Sequence, residues 1–261
     1  MSADSPIAWM TLLGTGTSMG VPMIGCDCET CRSTDPHDKR WRASVYVETD
    51  DGQSLLVDAG PDIRAQSLAF GLRRVDAIIF THGHADHIMG LDDIRRFNVL
   101  QQRPMPCFGD AATLNDLRRT FFYVFDPNTP RGGGLPQLEL FRIAGPFCIG
   151  RQEITPVPIL HGKRPILGLR MGRFAYLTDC SRIPDESYPL LEGLDLLVLD
   201  ALREKPHPTH FSLSEAIEVS ARIGARRTCF THMCHNLRHA DTNAKLPQGV
   251  ELAYDGLIVE L

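Results

Sequence analysis

Short apolar runs separated by polar turns recur along the chain and predict a protein rich in β-strands. A first strand is predicted over residues 8–13. Residues 44–48 and 54–57 form two more strands, joined by a turn at Asp50-Asp51-Gly52, because Asp-Gly pairs favour hairpin turns. The continuous apolar run of residues 75–80 predicts a buried strand.

The second half of the chain repeats this pattern with shorter runs. Residues 138–173 are rich in short strands, including one over residues 154–160. The remaining predicted strands are residues 174–177, 194–199, 227–230, 250–253 and 257–260. Polar turn residues dominate residues 128–134, which predict a mobile loop.

Helices are predicted between these strands. One begins at Asp58-Ala59-Gly60-Pro61 and runs to about Phe70, with proline at an early helical position. Two more cover residues 86–98 and 111–122. Residues 212–223 have amphipathic spacing, and Ser212 with Glu215 forms a capping box. Meandering strands followed by strands that alternate with helices predict sheets packed face to face with helices outside.

Composition changes this picture little. The 261 residues are 43% hydrophobic and 23% charged, which fits one large domain or two small ones and can bury a core without disulfides or metals. The net charge of −5 argues against a dedicated nucleic-acid binder, although it allows a small anionic substrate. The N-terminal residues lack a basic region and a long apolar core, and no run approaches the ~20 apolar residues of a membrane span. We therefore expect a cytoplasmic protein.

A dense group of metal-binding side chains follows the strand predicted at residues 75–80. The segment Thr81-His82-Gly83-His84-Ala85-Asp86-His87 places three imidazoles and one carboxylate close together. Neutral imidazole and carboxylate are the usual ligands of zinc, iron and manganese. Three further candidates, His161, Asp179 and His232, also lie just past predicted strands. Ligands at the ends of apolar strands are what a site on one sheet edge requires.

In this order, the residues His82-x-His84-x-Asp86-His87, His161, Asp179 and His232 resemble the metallo-β-lactamase superfamily over nearly the whole chain. The resemblance implies an α/β fold, the four-layer αββα sandwich, as a single hydrolase domain over residues 1–261. It also implies a two-metal site between the sheets. Two divalent ions about 3.5–4 Å apart can acidify a shared water and spread the charge of a phosphodiester transition state.

The resemblance assigns a role to each candidate ligand. His82, His84 and His161 would bind the first metal. Asp86, His87 and His232 would bind the second, with Asp86 counted among the catalytic residues, and Asp179 would bridge the two. We expect two divalent metals, manganese or zinc, in the active site. The sequence does not identify them, because histidine and aspartate ligands accept zinc, manganese or iron and affinity order alone does not decide occupancy.

The cluster Cys26-x-Cys28-x-x-Cys31 predicts a structural zinc loop at residues 26–31. Without a secretory signal, such a cluster favours metal binding over disulfides. Three thiolates need a fourth ligand for a closed tetrahedral site. Our candidate is His235, three residues after His232, and Cys234 is the alternative.

The cysteine cluster restricts the resemblance to one branch of the superfamily. The run Leu13-Gly14-Thr15-Gly16-Thr17 to Val21-Pro22, followed by the three cysteines, resembles the branch that contains phosphoribosyl 1,2-cyclic phosphate phosphodiesterases (PhnP-like). In that branch three cysteines and a histidine hold a structural zinc. We interpret the glycine-rich run as a tight turn, because it lacks the lysine of a P-loop.

Several other polar residues are candidates for supporting roles. Asp58 and Asp200 end predicted strands and resemble carboxylates that orient ligand histidines, although a helix cap and a surface acid are equally compatible with their positions. His210 precedes the capped helix, where relatives place a histidine that contacts phosphate or protonates the leaving oxygen. Lys163, Arg164, Arg203 and Lys205 either bind phosphate or are solvated, and no spacing assigns a role to His37, His207 or His239.

The function predicted first is a binuclear-metal-dependent phosphodiesterase acting on a small cyclic or nucleotide-like phosphodiester, with 5-phosphoribosyl 1,2-cyclic phosphate as a candidate substrate. The alternatives are an endonuclease for tRNA 3′ ends and a metalloprotein of the pyrroloquinoline quinone pathway. The acidic balance and the cysteine cluster argue against the endonuclease, and the intact histidine motif argues against the second alternative. A homodimer is implied by the resemblance only.

Overall fold

The structure contains two seven-stranded β-sheets, and the predicted metal ligands lie at or just after strands of both. The computed structural model describes residues 7–130 and 134–261. In the order of pairing, the first sheet consists of β14 (Ile258–Glu260), β1 (Ile7–Gly14), β2 (Ser44–Thr49), β3 (Ser54–Val57), β4 (Ala77–Ile79), β5 (Met105–Gly109) and β6 (Leu138–Arg142). The second consists of β13 (Val250–Leu252), β12 (Arg227–Thr231), β11 (Leu196–Asp200), β10 (Phe174–Leu177), β9 (Arg164–Met171), β8 (Gln152–His161) and β7 (Phe147–Ile149).

The helices lie outside the sheets. They are α1 (Glu29–Arg32), α2 (Ile63–Ala69), α3 (Ala85–Ile88), α4 (Arg95–Gln101), α5 (Ala111–Thr120), α6 (Phe122–Phe125), α7 (Leu213–Ile223) and α8 (His239–Asn243). Short 3-10 helices cover Pro36–Asp38, Leu91–Ile94 and Asp185–Leu191. Within the described part of the chain, none of the helices combines the length and the apolar run that a membrane-spanning segment needs.

Three apolar layers hold these elements together. The inner faces of the two sheets share one core, in which Met10 and Val45 of the first sheet join Leu169, Tyr176 and Val198 of the second. A second layer packs α7 on the outer face of the second sheet, and a third packs α4 and α5 on the outer face of the first. Burying each large aliphatic or aromatic side chain contributes about 1.5–3 kcal/mol. The predicted αββα sandwich is confirmed.

The pairing directions explain why ligands collect at one edge. The strands β3, β4, β5 and β6 are parallel, as are β10, β11, β12 and β13. In sheets of this kind, ligands bind beyond the carboxyl ends of the strands. Asp58, Thr81, Asp179 and His232 all lie there, immediately or shortly after β3, β4, β10 and β12.

The amphipathic helix predicted over residues 212–223 is confirmed as α7. The Ser212 hydroxyl accepts the Glu215 backbone N–H, and the Glu215 carboxylate accepts the Ser212 backbone N–H, which completes the capping box. The helix ends at Gly224, whose left-handed φ of 70° suits a residue without a Cβ.

The helix predicted from Asp58 begins too early, because α2 starts only at Ile63 and Pro61 precedes it. The Ala59 backbone N–H instead donates to the carbonyl of His87. A Cβ at Gly60 would lie 2.0 Å from the Asp86 carbonyl oxygen. Segment 58–60 therefore lies as irregular chain against the histidine motif, where long-range backbone contacts replace a first helical turn.

The helix predicted over residues 86–98 is also wrong in its continuity. The structure divides it into α3, a 3-10 turn at Leu91–Ile94 and α4. The break lies at Gly90, whose backbone N–H donates to Ala59 and whose Cβ would be 2.0 Å from the Gly60 carbonyl oxygen. The helix predicted over residues 111–122 ends at Thr120, and α6 follows it.

Two further differences concern strands and loops. The strand predicted over residues 75–80 is regular only over β4, although Val75 and Phe80 are buried as expected. Sequence reasoning missed β5, whose run contains Pro106 next to Pro104 and so lacks a clear strand signal. Of the predicted mobile loop at residues 128–134, residues 131–133 lie outside the described residues.

Candidate metal centre

Seven side chains from both sheets converge between the carboxyl ends of the strands. One group joins His82, His84 and His161, and the other joins Asp86, His87, Asp179 and His232. Within each group the potential ligand atoms all lie within 4.8 Å of one another. These two groups match the division between two metals that the sequence resemblance implied, and all seven predicted residues are brought together.

Asp179 lies between the two groups. One of its carboxylate oxygens is 3.9 Å from His82 Nε2 and 3.3 Å from His232 Nε2, and the other is 3.1 Å from His87 Nε2. Asp179 thus lies beside imidazoles of both groups, and it would be the ligand shared by two cations held there. The Thr178 hydroxyl donates to one of these oxygens at 2.8 Å and helps to fix the carboxylate.

Several buried imidazole nitrogens face this centre without a hydrogen-bond partner among the described residues. They are the Nε2 atoms of His82, His87 and His232. A buried polar atom left unsatisfied costs about 1–3 kcal/mol, so three in one place call for an additional partner. Neutral imidazoles and carboxylates are suitable ligands for zinc, manganese and iron, and the residues present therefore fit divalent cations.

The opposite nitrogens of the same rings are held by the protein. His87 Nδ1 lies 2.7 Å from the Asp58 carboxylate, and His161 Nδ1 lies 2.8 Å from the Thr209 carbonyl oxygen. His82 Nδ1 lies 3.0 Å from the Thr81 hydroxyl. Partners of this kind fix the tautomer and the ring orientation, so that Nε2 is presented to the centre.

Asp58 and Asp200 are completely buried, which excludes a surface acid at either position. Asp58 accepts hydrogen bonds from the backbone and the hydroxyl of Thr81, at 2.9 and 2.8 Å, as well as facing His87. Asp200 accepts the Phe211 backbone N–H at 3.0 Å and lies 3.6 Å from His232 Nδ1. Asp58 thus holds the ring of His87, and Asp200 lies beside His232 and His210; neither carboxylate caps a helix.

The charges of the centre are strongly coupled. Burial opposes ionisation of Asp179, but the imidazoles of His232 and His87 outweigh it and hold the pKa of this carboxyl well below its usual range. Burial likewise opposes a charge on His232, but the carboxylates of Asp179, Asp86 and Asp200 raise its pKa to about 9. Burial and the neighbouring His87 hold the pKa of His82 well below its usual value, so this imidazole is neutral at pH 7.

His210 adjoins the centre without belonging to either group. Its ring lies 4.7 Å from that of His161 and stacks at 4.8 Å on that of His232, and its Nδ1 is 3.4 Å from Asp200. Burial, followed by the charge of His232, lowers the pKa of His210 to about 4. The imidazole is therefore neutral at pH 7 and lies where a group reacting at the centre could reach it.

Sequence reasoning missed four residues at this site. Thr81, Thr178 and Thr209 hold site residues through the contacts described above, and each directly precedes a histidine or aspartate of the site. His207 was assigned nothing, yet its ring lies 5.2 Å from that of His210. Its position three residues before His210 is the signal that could have identified it.

The cysteine cluster forms a separate centre. The Sγ atoms of Cys26, Cys28 and Cys31 lie 3.2, 3.4 and 3.7 Å from His235 Nδ1, and the four ligand atoms form one compact group. The competing Cys234 instead donates to the Asn236 side chain at 3.0 Å. All eight cysteines are free thiols. Three thiols and one imidazole at these distances fit a tetrahedral zinc site.

Of the four basic residues considered for phosphate binding, the two arginines contact other protein groups and the two lysines are exposed. Arg164 pairs with Asp116 at 2.8 Å, and its charge contributes to lowering the pKa of His84 after burial and His161. Arg203 donates to the carbonyl oxygens of Lys205 and Pro206 at 3.1 and 3.0 Å. Lys163 and Lys205 are exposed.

The structure resembles several solved proteins. It matches the crystal structure of a new diphosphatase from the PhnP family with a TM-score of 0.91 and 46% identity, over 98% of this chain and 97% of that one. It also matches zinc-bound PqqB from Methylobacterium extorquens with a TM-score of 0.78 and 21% identity, over 97% and 100% of the two chains, which shows the shared fold.

Among curated proteins, an octanoyltransferase from Porphyromonas gingivalis is 38% identical over 248 residues, which are 94% of this chain and 50% of that protein. This chain thus spans about half the length of that relative.

The fold and the site together define a protein of the metallo-β-lactamase type: an αββα sandwich in which histidines and aspartates from both sheets form a site that fits divalent metals. The model of the beta-lactamase superfamily domain matches residues 53–233, and the chain belongs to this superfamily.

Proposed function

We propose that the protein is a binuclear-metal phosphodiesterase that hydrolyses a phosphate ester or diphosphate bond of a small molecule. The observation that carries the proposal is the position of Asp179 between two complete ligand groups. Two divalent cations held there by the seven residues would supply Lewis acidity, acidifying a water and neutralising charge on the phosphoryl group.

The protein groups around this centre would position the reaction. Asp58 and the threonines keep the imidazoles in one tautomer, so that little reorganisation is needed when the substrate binds. Both sheets and the loops over them exclude bulk water from His82, His87, Asp179 and His232, which are all buried. Electrostatic interactions are stronger in such a site than at the surface.

His210 is our candidate for the proton donor. Water would add its oxygen to phosphorus and lose a proton to solvent while the bond from phosphorus to the leaving oxygen breaks. The leaving oxygen would keep the electron pair of that bond and take a proton from His210. The imidazole is neutral at pH 7 in the free site. An anionic phosphoryl group beside it raises its pKa by attraction, so that it takes up a proton from solvent when the substrate binds.

The comparisons support phosphoryl chemistry over the alternatives. The relative with 46% identity and near-complete coverage is a diphosphatase. The net charge of −5 argues against a tRNA substrate. The candidate substrates are therefore a cyclic phosphodiester such as 5-phosphoribosyl 1,2-cyclic phosphate and a nucleotide-like diphosphate.

Phosphorus NMR of the manganese- or zinc-loaded protein tests this proposal. We expect the wild type to open ribose 1,2-cyclic phosphate or to cleave ADP-ribose, and His84→Ala to do neither, because His84 belongs to the first ligand group. His37→Ala is the matched control, since His37 lies outside both groups. Absence of turnover of either compound by a wild type with two bound metals would contradict the proposal, as would full activity of His84→Ala.

A separate measurement isolates His210. His210→Ala should retain both metals and lose most of its turnover of a substrate with a poor leaving group. Its turnover of a p-nitrophenyl ester should fall much less, because the leaving oxygen of that ester needs no proton. Equal losses for both esters would show that His210 does not act as the proton donor.

A further inference from the structure

His207 lies beside His210, and its ring is separated from the metal centre by the His210 ring. Its ring centroid is 5.2 Å from that of His210, whose own ring lies 4.7 Å from His161 and 4.8 Å from His232. His207 is partly exposed, whereas His210 is buried. The side chain therefore lies on the more exposed side of His210, and nothing in the proposed reaction uses it.

The chain around His207 is built to hold it. Pro206 and Pro208 flank it, and each proline fixes its own φ and restricts the residue before it. The Arg203 guanidinium donates to the carbonyl oxygens of Lys205 and Pro206, which ties the loop back on itself. An ordered loop of this kind loses little conformational entropy when a ligand binds.

Thr209 fixes the tautomer of His207. The Thr209 backbone N–H donates to His207 Nδ1 at 3.4 Å, and the Thr209 hydroxyl lies 3.1 Å from the same atom. A nitrogen that accepts a hydrogen bond carries no proton, so in the neutral ring the proton is on Nε2. His207 Nε2–H is therefore a donor, and among the residues that the structure describes it makes no hydrogen bond that would compete with a ligand.

The same threonine relates His207 to the metal centre. Its carbonyl oxygen accepts from His161 Nδ1 at 2.8 Å. A Cβ at Gly162 would lie 2.9 Å from Thr209 Cγ2, so the turn after His161 packs closely against this residue. Thr209 thus contacts both His207 and His161, a member of the first ligand group.

The neighbouring charges keep His207 neutral. Burial lowers its pKa first, followed by the charges of His210, Arg203, His161 and His232. A neutral N–H donor beside an arginine suits an anionic oxygen, because hydrogen bonds to charged groups are stronger than those between neutral groups.

We propose that His207 is a specificity-determining residue whose Nε2–H binds a second phosphoryl group, adjacent to the one at the metal centre. The substrate class selected by this contact is a diphosphate ester, in which two phosphoryl groups share one oxygen. The inference rests on the proposed function and identifies its substrate class, since a single cyclic phosphodiester has no second phosphoryl group at the reacting centre.

Calorimetry of the metal-loaded protein with methylenediphosphonate and with inorganic phosphate tests this contact without requiring turnover. We expect His207→Ala to weaken diphosphonate binding about tenfold, the loss typical of one hydrogen bond to a charged group, and to leave phosphate binding and metal content unchanged. His207→Gln keeps an N–H donor at a similar distance and should retain most of the affinity. His37→Ala is the control histidine.

The outcomes separate the two proposals. Unchanged diphosphonate binding by His207→Ala would overturn the inference, as would an equal loss for phosphate and diphosphonate or no rescue by His207→Gln. If the wild type hydrolyses ribose 1,2-cyclic phosphate while His207→Ala binds diphosphonate normally, the proposed function stands and the inference fails. If neither a phosphate ester nor a diphosphate is turned over but diphosphonate binding depends on His207, the binding contact stands, and the proposed function fails together with the substrate class inferred from it.

Discussion

Asp58, Asp179 and His232 share an unusual backbone conformation at the scale of single residues. Their φ values are 61°, 56° and 58°, in the left-handed region that side chains with a Cβ rarely adopt. Each residue follows a strand, and the sharp change of direction turns its side chain into the site instead of along the sheet. Such conformations cost about 1–3 kcal/mol each and persist where the surrounding structure enforces them, typically at functional sites.

Replacing Asp58 by asparagine tests the role of the buried carboxylate. Asparagine has the same shape and tolerates a left-handed φ, so the fold should survive. We expect the affinity for the metal bound by the group that contains His87 to fall about 10–100-fold, because His87 Nδ1 loses its carboxylate partner at 2.7 Å. Metal titration of the stripped protein measures the change. Asp50→Asn, at an exposed position, is the control, and equal affinities in the two variants would contradict the role.

At the scale of elements, the loop after β12 joins the two proposed metal centres. It carries His232 at one end and His235 three residues later. The buried Arg40 guanidinium donates to the carbonyl oxygens of Cys234 and Leu237, at 3.0 and 2.6 Å. Arg40 thus holds the segment that carries His235 of the cysteine cluster and follows His232 of the other centre, and a zinc bound by the cluster would hold it further.

Cys28→Ser should remove the structural zinc. We expect one equivalent less zinc by metal analysis and a lower melting temperature, because a closed zinc site loses one of its four ligands. Cys148→Ser, at an exposed cysteine outside the cluster, should change neither quantity. Unchanged zinc content in Cys28→Ser would exclude the site.

Ser212→Ala should destabilise the protein through α7. The substitution removes the hydroxyl that caps the helix, which contributes about 0.5–2 kcal/mol in comparable helices. Denaturant unfolding measures the change in the free energy of unfolding. Ser214→Ala, one residue inside the helix and exposed, is the control, and equal stabilities of the two variants would show that the cap contributes nothing.

At the scale of the whole molecule, the catalytic centre links the two sheets. His82, His84, Asp86 and His87 follow β4 of the first sheet, whereas His161, Asp179 and His232 belong to the second. Cations bound by both groups would therefore cross-link the sandwich. A ligand that binds only the folded state at 100 times its Kd adds about 2.7 kcal/mol of stability.

The stabilisation by metal should grow as the pH rises from 6.5 to 9. In the metal-free protein the pKa of His232 is raised from 6.5 to about 9, so its contribution to stability is complete below pH 6.5 and is lost as the pH rises through 9. Metal binding must displace this proton, so the affinity increases over the same range. Thermal unfolding with chelator and with manganese measures both trends. A difference in melting temperature that shrinks towards pH 9 would contradict this prediction.

The sequence made much of the site predictable because the ligands are short polar motifs placed at the ends of apolar runs. His82, His84 and His161 could be proposed as ligands by resemblance before any geometry was known, whereas His235 was the candidate from its position three residues after His232, with Cys234 as the alternative. The boundaries around Asp58 and Gly90 could not be predicted, because backbone contacts between segments 58–60 and 84–90 override local helix signals there. The proposed role of His207 could not be predicted from the sequence either, because it depends on the His210 ring that lies beside it in the folded protein.

By itself, the sequence determined the strand-rich pattern and sheets packed face to face, because hydrophobic periodicity is a local property. Its resemblance to a known superfamily supplied the αββα fold class and the candidate metal-binding side chains. Only the tertiary structure decided which residues hold these side chains in place. Asp58 reaches His87, and Thr209 reaches both His161 and His207, through contacts that form when separate strands and loops pack together. Such contacts depend on the relative positions of distant segments, which no local pattern of residues records.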